Sequence, residues 1–362
     1  MRILQILHDR ERGGVQTLAE ILEHSLTPYG FVFETAYLFP RPGLNALAKA
    51  YHSLALAVRI LRGGFDGLLA YQATASILVG AAGFLQGCRL RIVHQTCMPG
   101  ETVWPVRLLD RVVGALGLYT ANIANTSATW AEFSDYPTRY RRAMALIEHG
   151  LDPPVPTRGR DDTRRRFGLP HDKPLLLNVG RLVAQKNQDV LIRALGQLPG
   201  AHLAIAGDGI QAAGYRALGV STRVADRLHL LGAVSSQDIA DLYGAADLFV
   251  FPSRWETFGL AAVEAAMVGT PMVVADLPVL REVLSTTAQP PVAFVDPHDV
   301  EGWSDAIHAA LAALPPRERT AEFARAVALK YGRQQMIERY VRLLRSLGAD
   351  PGCAGVAQGA SA

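Results

Sequence analysis

The sequence lacks most of what would tie it to an oxidising compartment, a bilayer core or a nucleic acid. It has three cysteines, Cys88, Cys97 and Cys353, and no two of them stand in a CxxC. An odd, scattered set excludes a disulfide framework and a cysteine-built zinc site, and fits a reducing cytosol. Long apolar runs are missing as well. The longest, residues 76–85 and 112–118, fall short of the roughly 20 residues a membrane-spanning helix needs. The opening MRILQILHDR reaches His8 and Asp9 too soon for a signal peptide. Net charge is small: 36 Lys and Arg face 33 Asp and Glu. Residues 1–150 hold 14 basic and 11 acidic side chains, and the remainder holds 22 of each. A nucleic-acid binder concentrates basic charge, so nucleic acid is excluded as a partner. The expected location is cytoplasmic, with any membrane contact peripheral and on the inner face.

The dinucleotide fingerprint is also absent. Gly13-Gly14-Val15 follows the first expected strand without completing GxGxxG, and no acidic residue ends the second. The glycine pair suits a helix start pressed against a substrate, or a plain turn.

What is present is a rhythm. β-rich runs at 3–7, 31–38, 67–71 and 90–94 alternate with amphipathic runs at 15–26, 44–61, 74–85 and 103–118. Such alternation implies parallel sheets with crossover helices. It breaks at 151–173, where Pro153, Pro154, Pro156 and Pro170 surround Arg164-Arg165-Arg166. It restarts with strands at 175–179, 202–206, 228–231, 248–251 and 271–274, and helices at 187–195 and 259–268. Ser235 with Asp238 reads as a capping box. The expected division is a domain at 1–150, a linker at 151–173, a second domain at 174–330, a returning helix at 331–348 and a disordered tail at 349–362.

The richest stretch runs from Phe251 to Glu264. It starts at the carboxyl end of an apolar strand, where open α/β sheets place ligands. Glu256 falls in the loop, and a helix begins near Gly259 with free N–H groups and a positive dipole end suited to phosphate. Gly259 would admit a diphosphate close to the backbone. Glu264 lies eight positions beyond Glu256, up to about 12 Å at ~1.5 Å per residue. Two carboxylates astride a phosphate-binding helix start match the hydroxyls of a nucleotide sugar; separately, each could be a capping or solvated residue.

In the stretch from Asn178 to Gln188, Arg181 follows directly on a strand and Lys186 opens the next helix. Both would project at the edge that carries Glu256 and neutralise a departing diphosphate, unless they are plain surface cations. His94 ends a strand and could donate to a sugar hydroxyl or a phosphate, or be a hydrogen-bonded core residue; His149 is a weaker candidate. Gly207-Asp208-Gly209 suggests a tight turn near a ligand. Trp130, Phe133, Tyr136 and Tyr140 stand among Arg139, Arg141 and Arg142, as a lipid-touching patch or a solvated helix and turn.

Together these residues resemble the retaining glycosyltransferases of family 4, from Met1 to about Leu347. The most specific elements are Glu256 and Glu264 separated by seven residues, the following Ala265 to Pro271, and the block Gly180-Arg181-Leu182 with Lys186-Asn187. Leu231 to Val234, Ala245-Ala246-Asp247, Ala124 to Ser127 and the run 334–347 add weaker likenesses. His149-Gly150 and Trp255 depart from the family's usual residues and leave the choice of donor sugar open.

The resemblance implies the GT-B fold: two facing Rossmann-like domains, a deep interdomain cleft and a last helix crossing back to the first domain. It implies Arg181 and Lys186 on the donor diphosphate, with Gly14 beside it. Glu256 and the backbone of Phe258, Gly259 and Leu260 would meet the transferred sugar and phosphate. Glu264 would hold the ribose, Val234 the base, and His94 the sugar. It implies transfer of a hexose with retention, without cofactor or divalent metal, and no DxD ends a strand here. A UDP-sugar is the first expectation for the donor and GDP-mannose the second. The acceptor would be a glycan, a lipid-linked glycan or a small molecule. A sugar-nucleotide epimerase or hydrolase, or a non-catalytic sugar-nucleotide-binding protein, is the alternative.

Overall fold

The computed structural model describes residues 1–10, 13–41 and 43–348. The chain forms two compact units, one of Met1–Gly150 with the helix Arg333–Ser346, the other of Leu151–Gly332.

The first unit holds six strands, β1 (Arg2–Leu7), β2 (Val32–Tyr37), β3 (Gly67–Tyr71), β4 (Leu90–His94), β5 (Ala121–Ala124) and β6 (Met144–Leu146). They form one parallel sheet in the order β2-β1-β3-β4-β5-β6. Strands such as Gly-Leu-Leu-Ala-Tyr are buried at every position, because helices cover both faces. One face is closed by the helices Ala46–Leu61, Ala73–Gln86 and Trp104–Ala115. The other is closed by Gly14–Leu26 and the returning Arg333–Ser346, whose Met336, Ile337, Tyr340, Val341 and Leu344 join the core of β1, β3 and β4.

The second unit repeats the plan with β7 (Leu175–Val179), β8 (His202–Ala206), β9 (Leu228–Gly232), β10 (Leu248–Phe251), β11 (Met272–Ala275) and β12 (Val292–Val295). The order is β12-β11-β10-β7-β8-β9, all parallel. Sequence order reverses between β7 and β10, which creates a switch point where the crossover loops part.

Residues 151–173, expected as a linker, pack into the second unit. They contain the helix Arg160–Arg166, and Arg164 is fully buried. Its guanidinium donates to the carbonyls of Ala245, Pro170, His171 and Lys173 and pairs with Asp247. Charge and proline content reported exposure there, whereas five acceptors converge on one planar cation. The expected tail at 349–362 lies outside the described residues. Strands β5, β6 and β12 had not been anticipated.

Candidate functional site

The switch point of the second sheet gathers the residues singled out above. Where β7 ends, Gly180 leads into exposed Arg181, and a short helical turn Ala184–Lys186 carries Lys186 back across the strand ends. Where β10 ends, Pro252 and Ser253 turn the chain into the loop of Glu256. Lys186 Nζ donates to Glu256 Oε1 at 2.5 Å. The side chains are 18% and 9% exposed, so the pair is shielded without being sealed. The ammonium also stands 5.2 Å from the centroid of Phe251, a cation–π contact that steers its stem.

Residues without an assigned role in the sequence hold this geometry. Asn187 sits in the left-handed region at φ 55°, and its amide donates to the carbonyls of Pro252 and Pro297. Its carbonyl oxygen accepts from Arg254 Nε at 2.9 Å. Gln185 donates to Trp255 O and accepts from Arg254 N. Gln188, fully buried, donates to Arg181 O and accepts from Tyr215. Asn178 links the strands themselves, donating to Val250 O at 2.8 Å. The loops after β7 and β10 are thus one hydrogen-bonded body. The signal was available: Asn tolerates the left-handed conformation better than other residues, and a helix starts beside it.

The helix Leu260–Val268 begins at Gly259, which has φ 82°. A Cβ there would come 2.7 Å from Leu280 Cδ2. The glycine is therefore required by backbone conformation and by packing against Leu280, a different reason from the expected approach of a diphosphate. Because regular helix starts only at Leu260, the rise to Glu264 covers four residues, about 6 Å at ~1.5 Å each. Phe258 is buried, its ring edge-on to Tyr331 at 5.3 Å. Glu264 accepts from Tyr243 Oη at 3.0 Å. Burial pushes its carboxyl above the usual range, and the tyrosine hydroxyl pulls it partly back. Val234, half-buried, directly precedes the N-cap Ser235, whose side chain accepts from Asp238 N and donates to its carboxylate.

Gly207 and Gly209 press on the same loop. Cβ atoms there would lie 2.0 Å from Gly180 O and 2.5 Å from Leu182 O. The two glycines let the β8 turn brace the backbone beside Arg181, with Leu182 N donating to Asp208 O.

The first unit places its candidates differently. Gly14 is exposed at the start of its helix, behind Gly13 in ordinary extended conformation. His94 is 2% exposed and lies between Tyr71 and Tyr340, with centroids at 4.8 and 5.8 Å. Burial, with some help from His149, pushes it down to about 3, so it is neutral at working pH. It is a core histidine in this structure. His149 is buried too, held by Asn125 at 2.9 Å and pushed down to about 4. Phe133, Tyr136 and Tyr140 are core residues packed on one another, so they form no lipid-touching patch. Tyr140 and Tyr119 both donate to Asp110, whose carboxyl burial pushes up to about 6.

Among the described residues no cluster of three or more His, Cys, Asp or Glu is placed to hold a metal ion. No described helix is long and apolar enough to cross a membrane.

Residues 159–327 match the family model described as Glycosyl transferases group 1. D-inositol 3-phosphate glycosyltransferase of Xylanimonas cellulosilytica is 34% identical over 260 residues, covering 67% of this chain and 60% of that protein. The chain therefore spans less than two thirds of that relative's length. Among solved structures, HepE of Anabaena in complex with UDP-glucose superposes with a TM-score of 0.81 at 20% identity, over 96% of this chain and 100% of that one. Sucrose-phosphate synthase of Thermosynechococcus elongatus does so at 0.80 and 19%, over 96% and 99%. The two parallel six-stranded sheets with their helices are the GT-B fold.

Proposed function

Taking as premise that the chain has the GT-B fold and that residues 159–327 match the group 1 glycosyltransferases, we propose that it is itself a glycosyltransferase. In this reading it moves a hexose from a nucleoside-diphosphate sugar to an acceptor, with retention and without a metal. The observation that carries the proposal is the Lys186–Glu256 pair at the switch point of the second sheet.

Lys186 and Arg181 supply two cations, a charge suited to a diphosphate. The N–H groups of Phe258, Gly259 and Leu260, at a helix start, add donors for its oxygens. Glu256 accepts from hexose hydroxyls, and Glu264, with one oxygen held by Tyr243, accepts from the ribose. Val234 lies at the base. His94 enters as a support of the β4 end, since its ring is enclosed by Tyr71 and Tyr340. The bond from the anomeric carbon to the phosphate oxygen breaks as the acceptor oxygen bonds on the same face. The leaving phosphate takes the acceptor's proton, and the charge it gains is met by Lys186 and Arg181.

A UDP-sugar is the first choice of donor, supported by the likeness to HepE with UDP-glucose; GDP-mannose is the second. The acceptor is a glycan, a glycolipid or a small molecule, and the relative's name adds inositol phosphate to the panel. A thermal-shift screen of UDP-, GDP-, ADP- and dTDP-sugars should give one nucleotide class that stabilises the chain. Transfer in EDTA, with NMR of the new linkage, then tests metal independence and retention. Turnover of donor alone, unaffected by any acceptor, would instead favour an epimerase or hydrolase. Binding without turnover over the whole panel would favour a non-catalytic binding protein.

A further inference from the structure

Three neighbouring helices of the first unit turn apolar side chains to solvent. Helix Ala73–Gln86 packs between Ala46–Leu61 and Trp104–Ala115 on one face of the sheet. In the first flanking helix Leu47, Tyr51, Leu54, Val58 and Leu61 recur at alternating steps of four and three residues, one helical stripe. Leu47 is 83% exposed and Leu54 65%. In the other, Trp104, Leu108, Val112 and Leu116 recur every four residues, with Trp104 at 69% and Leu116 at 60% exposure. Phe84 and Leu85, at the end of the middle helix, are exposed as well. The amphipathic pattern is inverted on Trp104–Ala115: its charged Asp110 points into the core, and its outward stripe is apolar. Exposed apolar stripes on neighbouring helices mark an interaction surface.

The charges around it choose the partner. The segments 44–64, 72–93 and 102–118 carry seven basic residues and one acidic residue, the buried Asp110. Lys49, Arg62, Arg89 and Arg107 are exposed, while Arg59 and Arg111 pair with Glu34 and Asp135. Two copies of this face brought together would set like charges against each other. An anionic lipid surface meets both demands, taking leucine and tryptophan among its acyl chains and the cations among its headgroups.

We propose that this three-helix face docks the protein on an anionic phospholipid bilayer. The proposal is independent of which sugar is transferred, and it uses different residues from the aromatic cluster read in the sequence.

The test is co-sedimentation of the full chain with vesicles of phosphatidylglycerol and phosphatidylcholine, beside vesicles of phosphatidylcholine alone. The wild type should pellet with the anionic vesicles, at least tenfold better than with neutral ones, and less as salt rises. Leu54→Glu combined with Leu108→Glu, at exposed positions, should cut pelleting at least tenfold with an unchanged far-UV spectrum and melting temperature. Tryptophan emission should shift to the blue on vesicle addition, and Trp104→Phe should remove that shift. Equal pelleting of wild type and double variant, or no preference for anionic lipid, overturns the proposal. So does a dimer that the double variant dissociates while the wild type ignores vesicles; the face would then belong to a second copy.

Discussion

Lys186 reaches from the loop after β7 to the carboxylate of Glu256 in the loop after β10, 2.5 Å apart and 70 residues distant in sequence. The contact joins the two strands between which the sheet reverses its order. Each side chain then faces the space where a ligand of an open α/β sheet is expected.

Removing either partner should abolish transfer. Lys186→Ala and Glu256→Gln are expected to lower kcat by ~10²–10³. In thermal denaturation the double variant Lys186→Ala, Glu256→Gln should lose less stability than the two singles added, by roughly 0.5–3 kcal/mol. Additive losses would mean that the pair is not coupled in solution.

As the proposed ribose ligand, Glu264 should make donor binding sensitive to acid. Its carboxyl is raised by burial, so protonation begins at a higher pH than for an exposed glutamate. Nucleotide affinity by calorimetry should therefore weaken as pH falls toward the acid range. Tyr243→Phe deletes the hydrogen bond that lowers this group, and the weakening should set in at higher pH. An unshifted profile in Tyr243→Phe would count against Glu264 as the ribose ligand.

Asp110 should make the first unit less stable as pH rises. Its folded carboxyl is raised to about 6 by burial, above the unfolded value, so its favourable contribution is present at low pH. That contribution is lost as pH climbs through the folded value, by at most about 3 kcal/mol at ~1.36 kcal/mol per unit. Asp110→Asn cannot titrate. Its melting temperature relative to wild type should rise between pH 4 and pH 7; a constant difference would refute the assignment.

Gly207 braces the backbone beside Arg181 and should tolerate no side chain. It has φ 147°, and a Cβ would fall 2.0 Å from Gly180 O. Gly207→Ala should cost about 1–3 kcal/mol, a fall of roughly 2–12 °C in melting temperature, and should weaken donor binding. Gly214→Ala is the control: its Cβ would meet nothing nearer than Gln211 Oε1 at 3.5 Å, inside the helix Ala212–Ser221.

The second unit's strand ends were legible because apolar strands, glycines and charged loop residues recur there in a fixed order. Glu256, Lys186 and Arg181 could be placed at one sheet edge from strand polarity alone. Other features depended on partners that lie far off in sequence. Arg164 looked like linker charge because its acceptors at Ala245 and Asp247 are about 80 positions away. His94 looked like an edge residue because Tyr340, which covers it, arrives only with the last helix. Phe133, Tyr136 and Tyr140 were misread because they lie on either side of a break at Pro137, in the turn after Ser127–Ala131 and in the helix Thr138–Arg142, where no period shows that they share a core, and Gly114 leaves the space that Tyr140 fills.

The helix Arg333–Ser346 completes a core whose other members lie before residue 150. During synthesis, β1, β3 and β4 must therefore wait for Ile337 and Tyr340 until all of the second unit has left the ribosome. The second unit is contiguous and can finish first. The half of the chain translated earlier is the half that matures later, and a nascent chain stalled before residue 333 would present an open apolar sheet face to the cell's chaperones.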